Sequence, residues 1–179
     1  MIIRKKLDPI TNKRVFIAGH SGMVGSAVLN YFISKGLKKI ITVSSSKLDL
    51  RNKIKVEKFF KKTKPQIVIN CAAKVGGIKS NNNNKVKFLE DNIEINNNIF
   101  KSSFNNNIHR LIYLGSSCVY PKNYKRTIKE EDLLSDYLEP TNEAYSLAKI
   151  VGLKPEIPPI SEASTATHSP LVSCMFVIS

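Results

Sequence analysis

A short apolar run that ends on glycine, followed at once by two more glycines and a helix pattern, limits this chain to very few folds. The run is Arg14 to Gly19 (RVFIAG), and the loop reads GHSGMVG. Such a run suits a strand buried on both faces of a parallel sheet. From Met23 to Lys35, Val24, Ala27, Val28, Tyr31 and Phe32 recur at helical spacing, and Gly36 stops the pattern. Between strand and helix, glycines permit a tight turn, close approach of backbone to a pyrophosphate, and close helix–strand packing. The helix N-terminus adds free N–H groups and partial positive charge. The loop from Gly19 through His20, Ser21, Gly22, Met23 and Val24 to Gly25 is therefore expected to hold dinucleotide phosphates. Taken alone, the loop also reads as an ordinary glycine turn.

The rest of the chain alternates strand and helix patterns. Lys39 to Ser44 reads as a second strand and Leu48 to Leu50 as a very short third. Asn52 to Lys62 is helical, with Ile54, Val56, Phe59 and Phe60 apolar. Gln66 to Ala72 is a strand. Lys85 to Asn107 is a long helix, with Phe88, Leu89, Ile93, Ile95, Ile99, Phe100 and Phe104 as core candidates. Asn81–Asn84 reads as a loop, and the triplets Asn96–Asn98 and Asn105–Asn107 as interruptions or ends of that helix. Arg110 to Ser116 is a strand, and Asn142 to Leu153 a helix after Pro140. This alternation predicts an α/β fold with a doubly wound parallel sheet.

Two further motifs carry chemistry. In Tyr145-Ser-Leu-Ala-Lys149 the spacing puts both reactive side chains on one helix face. A nearby ammonium favours the phenolate, which brings proton transfer within reach of neutral pH. A plain surface helix face is the alternative. Leu114-Gly115-Ser116-Ser117-Cys118 lies at the carboxyl end of a strand, where ligands of open α/β sheets bind. A serine there can hydrogen-bond a substrate carbonyl, and a thiol can move protons. Cys118 reads equally well as a small buried hydrophobe.

The formal charge of +14 on 179 residues first suggests nucleic acid or an acidic membrane. Lys, Asn and Ile, however, supply a third of the chain, as A/T-rich codons would dictate. The lysines spread over helix faces without an aromatic-interleaved stripe, which speaks against a nucleic-acid partner. No apolar run reaches the roughly 18 residues of a membrane span, and no secretory signal is visible. Cys71, Cys118 and Cys174 form no CxxC pair and cannot all pair with each other, so a reducing, cytoplasmic setting fits, and no metal is expected.

Together the three motifs resemble the extended short-chain dehydrogenase/reductase superfamily. RVFIAGHSGMVGSAV, NCAAKVGGI, LGSSCVYP and LEPTNEAYSLAKIVGLK are more narrowly similar to its GDP-L-fucose synthase family. The resemblance runs from about Arg14 to Lys154. It implies a Rossmann-like fold, NADP(H) as cofactor, and 3,5-epimerisation with 4-reduction of GDP-4-keto-6-deoxy-D-mannose. It also implies roles. The residue matching Cys118, with a downstream histidine, exchanges protons at C3 and C5. Tyr145 protonates the C4 oxygen, Ser116 hydrogen-bonds it, and Lys149 binds the nicotinamide ribose and lowers the tyrosine pKa. Asp49 and Leu50 lie beside the adenine. Ala72, Ala73 and Lys74, with Leu114, Gly115, Ser116 and Ser117, complete the cofactor wall. Ser44, Ser45 and Ser46 lack the arginines that often hold a 2′-phosphate; Lys47 could substitute, and no acidic residue favours NAD. A homodimer on the long helices is implied for a full-length chain.

Two divisions are expected: a dinucleotide-binding domain over residues 1–154, incomplete beside its relatives, and an atypical segment over 155–179. The second has no Lys or Asn, where the first has 40. It reads either as a linker or disordered tail, or as sequence foreign to the family, as after a frameshift. His168 lies in it and is not expected to supply the catalytic histidine. Pro155, Pro158, Pro159 and Pro170 break helices, and Leu171 to Ile178 is an apolar run without an evident partner. The Arg110–Gly115 strand is then an open edge, and residues 1–179 alone are expected to lack substantial activity. The competing functions are a non-catalytic dinucleotide-binding module and another extended short-chain nucleotide-sugar epimerase or dehydratase.

Overall fold

Val15, Phe16, Ile17 and Ala18 are all buried, so the first strand has no solvent face. That is the environment of a central strand in a sheet covered on both sides. The computed structural model describes residues 10–76, 84–123, 126–153 and 171–175. Strands β1 (Val15–Ala18), β2 (Ile40–Ile41), β3 (Ile67–Asn70), β4 (Arg110–Leu114) and β5 (Leu171–Met175) form one sheet, ordered β2-β1-β3-β4-β5. Every pairing is parallel. Among the described residues the α-helices are α1 (Met23–Ser34), α2 (Lys53–Thr63), α3 (Lys85–Asn105) and α4 (Glu143–Leu153).

Alternation along the strands divides the core in two. Val15, Ile17, Ile67 and Ile69 meet Val28, Leu29 and Phe32 of α1 on one face. Phe16, Ala18, Val68 and Leu111 meet Val56 and Phe60 of α2 and Ile99 of α3 on the other. The chain steps from β1 outward to β2, then returns past β1 to β3. The reversal leaves a crevice beyond the carboxyl ends of β1 and β3, the usual ligand position in such sheets.

Local chemistry sets the helix ends. After α1, Gly36 takes a positive φ of 75°. Its N–H donates to Ile33 O and the next amide to Phe32 O, a Schellman closure. Asn52 caps α2 by accepting from Lys55 N at 3.0 Å.

Several expectations are corrected. Leu48–Leu50 is not a strand. Leu48 is buried in the core, but the Leu50 carbonyl accepts from the Asn98 side chain at 3.0 Å instead of from a sheet partner. The second strand is shorter than Lys39–Ser44, pairing only at Ile40 and Ile41. Asn96–Asn98 does not interrupt α3, which runs through it. Asn96 and Asn98 are buried and hydrogen-bonded, so their amides join elements instead of competing with the helix backbone. Ile93 and Phe104, expected in the core, are exposed. The Arg110–Gly115 strand is not an open edge: Arg110 to Leu114 pair with Leu171 to Met175. The apolar run near the C-terminus thus has a partner. Pro155, Pro158, Pro159, Pro170 and His168 lie outside the described residues, as do Asn81–Asn83 and the Gly77–Ile78 end of NCAAKVGGI.

Candidate functional site

The glycine loop is built by contacts within the protein. Gly19 has φ +75°, and a Cβ there would lie 2.7 Å from the backbone of Ala72. A Cβ on Gly25 would collide with the Gly19 carbonyl, so α1 starts directly against the loop. Gly22 differs. Its φ of −76° suits any residue, and a Cβ would meet nothing closer than Gly19 O at 3.4 Å. The first helical bond of α1 is Ser26 N to Gly22 O. The amides of Met23, Val24 and Gly25 precede it and supply the free donors of the helix start.

At the far end of β4, the Ser117–Val119 segment is a 3-10 turn. The Cys118 thiol donates to Ser116 Oγ at 3.2 Å. Ser146 Oγ donates to Cys118 O at 2.8 Å, tying this turn to α4. Lys149 is buried, and its Nζ donates to Leu114 O at 2.8 Å. It stands 4.7 Å from the Tyr113 ring centroid and 5.8 Å from that of Tyr145. Burial lowers the ammonium to about 8, against the opposing influence of Cys118 and Cys71. Burial, then Cys118, pushes the Tyr145 phenol up to about 12. The expected lowering of the tyrosine by the lysine is therefore not present in this geometry. The ammonium is engaged with a backbone carbonyl, and desolvation of the phenol dominates. Burial likewise pushes the Cys71 thiol up to about 11.

A third wall follows β2. Arg51 forks onto Asp49 and also bonds Asp91 of α3, both at 2.8 Å. The Arg51 hydrogen bonds hold the Asp49 carboxyl below its usual range. Ser44 and Ser46 hydroxyls lie 2.9 Å apart. Buried asparagines fix the surrounding loops. Asn92 accepts from Lys74 N at 2.8 Å and donates to Lys74 O at 2.9 Å, clamping the segment after β3. Asn98 Nδ2 donates to the carbonyls of both Leu50 and Arg51, fixing the segment after Asp49.

These walls enclose one cleft of about 850 Å³. Its size is that of a cofactor site. The structure brings to it the whole of Gly19–Gly25, Asp49, Leu50, Ala72, Ala73 and Lys74. Leu114, Gly115, Ser116, Tyr145 and Lys149 share the same wall. Ser117 and Cys118 sit just outside it. Lys47 is exposed and also outside, whereas Ser45 and Ser46 line the cleft. Sequence reasoning missed Arg51, Asp91 and the structural asparagines Asn92, Asn96 and Asn98. The helical spacing of Asn92 and Asn96 was a readable signal, hidden by the abundance of asparagine. Among the described residues, no helix is long and apolar enough to cross a membrane, and no cluster of His, Cys, Asp and Glu could hold a metal ion.

Residues 15–154, from β1 to the end of the Tyr145–Lys149 helix, match the model of the NAD dependent epimerase/dehydratase family. The chain belongs to this family. Within it, a GDP-L-fucose synthase from Sinorhizobium fredii is 45% identical over 145 residues, covering 81% of this chain and 46% of that protein. The chain thus spans about half the length of the curated relatives it matches. Among solved structures, a GDP-mannoheptose C4 reductase from Campylobacter jejuni with NADP bound superposes with TM-score 0.76 at 36% identity. It covers 79% of this chain and 45% of that one. A GDP-L-fucose synthetase from Naegleria fowleri bound to NADP gives TM-score 0.72 at 32% identity, covering 79% and 45%.

Proposed function

We propose that this chain forms the NADPH-binding and acid–base part of a GDP-sugar 3,5-epimerase/4-reductase, producing GDP-L-fucose from GDP-4-keto-6-deoxy-D-mannose. The observation that most supports this reading is the continuity of one cleft. The glycine loop forms one end of it, and Ser116, Tyr145 and Lys149 form the other. The family and the names of the relatives point the same way.

The residues present fit a dinucleotide. Gly22 is required as glycine neither by its φ nor by packing, and the space it leaves adjoins the cleft. Pyrophosphate would rest there, on the amides that open α1. Asp49 and Leu50 would flank the adenine. The Ser45 and Ser46 hydroxyls would take a ribose 2′-phosphate, with no acidic side chain at the end of β2 to repel it. Arg51 is committed to two carboxylates and takes no part in that contact.

NADPH, when bound, supplies a hydride for C4 of the keto sugar. The protein's own part is to hold and move protons. Tyr145, protonated at neutral pH, gives its proton to the C4 oxygen, and Ser116 Oγ hydrogen-bonds that oxygen. Lys149, facing the cleft, orients the nicotinamide ribose. Cys118 moves protons at C3 and C5, which the neighbouring ketone acidifies, from one face of the sugar; inversion takes a second acid–base group on the opposite face, the downstream histidine that the resemblance implies.

A second reading, a GDP-sugar C4 reductase without epimerisation, is favoured by the likeness to the Campylobacter jejuni protein of that name. In it, Cys118 only packs. The test joins residues 1–153 to the second half of the Sinorhizobium fredii relative and supplies NADPH and the keto sugar in deuterated water. Tyr145→Phe should abolish NADPH consumption. Cys118→Ser should suppress deuterium uptake at C3 and C5 more than reduction. Undiminished uptake in Cys118→Ser would leave the reductase reading.

A further inference from the structure

We propose that Tyr113 is a positioning residue for Lys149, its buried ring forming the seat that fixes the ammonium at the end of β4. This rests on the reading of Lys149 as a cofactor-facing group for its functional consequence, though not for the seat itself.

The ring is locked from several sides. Tyr113 is fully buried on the α3–α4 face of β4. Its hydroxyl accepts from Asn96 Nδ2 of α3 at 3.0 Å, and the same amide donates to Ala148 O of α4 at 3.2 Å. Phe100 of α3 packs edge-on, with centroids 5.4 Å apart and planes at 82°. Gly152 leaves the room the ring needs: a Cβ there would lie 2.5 Å from Tyr113 Cζ. Gly152 and Lys149 are three residues apart and share one face of α4. The ring slides under that face, its rim below Gly152 and the ammonium 4.7 Å from its centroid.

The seat has two parts, the ring and the Leu114 carbonyl. A buried ammonium with only one backbone acceptor would be poorly compensated. An aromatic face favours its charged form. Other groups also act on Lys149. Cys118 approaches from the turn after β4, Cys71 from the end of β3, and the Tyr145 ring from its own helix. From α3 comes Asn96, which is uncharged and reaches Lys149 only through Tyr113 and the helix backbone. Tyr113 thus keeps the charge on the cleft wall, ready for a ribose hydroxyl.

The test is lysine Nζ NMR on the whole 179-residue chain without cofactor, with the Lys149 signal assigned by its loss in Lys149→Met. In wild type, the Lys149 Hε protons should be shifted upfield by the ring and show an NOE to it. The ammonium should titrate near 8. Tyr113→Leu should lower that midpoint by about one pH unit, because the ring's support for the charge is gone. Tyr113→Phe keeps the ring and should titrate with wild type. A Tyr113→Leu midpoint equal to wild type would overturn the proposal, as would equal shifts in both variants. Should Tyr113→Leu fail to fold, the wild-type spectrum decides: Hε protons at an ordinary position with no NOE to Tyr113 overturn it. Since no step uses NADPH, failure of cofactor binding is recorded separately and bears on the proposed function alone.

Discussion

Gly25 lies so close to the Gly19 carbonyl that no side chain fits between α1 and the loop that precedes it. The two glycines therefore serve the fold first, whatever the loop binds. Gly25→Ala should destabilise the protein by about 3 kcal/mol, at the upper end of overpacking costs, because the obstacle is backbone and cannot rotate away. Denaturant unfolding measures this. A loss below about 0.5 kcal/mol would mean that the loop and helix move apart freely.

Lys149 gives stability a definite pH dependence. Its ammonium has a pKa of about 8 in the fold against 10.5 for an ordinary lysine. Below pH 8 both folded and unfolded chains carry the charge, and burial costs the fold about 3 kcal/mol. Between about 8 and 10.5 the unfolded chain binds more protons, so the cost disappears as pH rises. Lys149→Met should be more stable than wild type at pH 7, with the advantage shrinking through that window. Urea unfolding at several pH values checks it, and an advantage that grows with pH would be the wrong sign. Cys71 and Tyr145, raised to about 11 and 12, lower stability at higher pH in both proteins and largely cancel in the comparison.

The strands, the glycine loop and the Tyr145–Lys149 helix were legible because periodicity and glycine spacing report burial directly. Placing Ser116 beside them needed only the strand-end rule. The buried role of the α3 asparagines was not legible, although the helical spacing of Asn92 and Asn96 was there to read. Asn96–Asn98 was expected to interrupt or end the helix, yet Asn92, Asn96 and Asn98 lie buried within it beside Phe88 and Ile99. Their partners, at Lys74, Ala148 and Leu50, are 18, 52 and 48 residues away in sequence. Helix spacing tells which residues share a face, not that a polar face is satisfied by backbone groups of distant segments. Arg51 was missed for a similar reason, since Asp91 reaches it from an element 40 residues later. The pairing of β4 with β5 was missed because an isolated apolar run carries no signal of its neighbour.

Asn98→Ala tests the importance of that polar face. It removes the donor to Leu50 O and Arg51 O, and should cost about 2 kcal/mol. The wall holding Asp49 should loosen, with faster amide exchange around residues 48–52. Unchanged exchange there would show that the loop stands by itself.

The fifth strand is tested through its backbone. Ser173 pairs with Ile112 in the ladder. Ser173→Pro removes an N–H from β5 and should uncover the β4 edge. The variant should self-associate at concentrations where wild type does not, as seen by sedimentation velocity. Equal behaviour would mean that β5 does not protect the edge.

NADPH fluorescence titration of wild type and Gly22→Val decides whether this cleft holds a dinucleotide. A Cβ at Gly22 meets no tight contact in the protein and the local φ suits any residue, so circular dichroism and unfolding midpoint of Gly22→Val should stay near wild type. Wild type should bind saturably, and Gly22→Val should bind at least about tenfold more weakly, the equivalent of roughly 1.4 kcal/mol. Equal affinity in the two folded proteins, or no binding by wild type, would mean that the cleft is not a dinucleotide site.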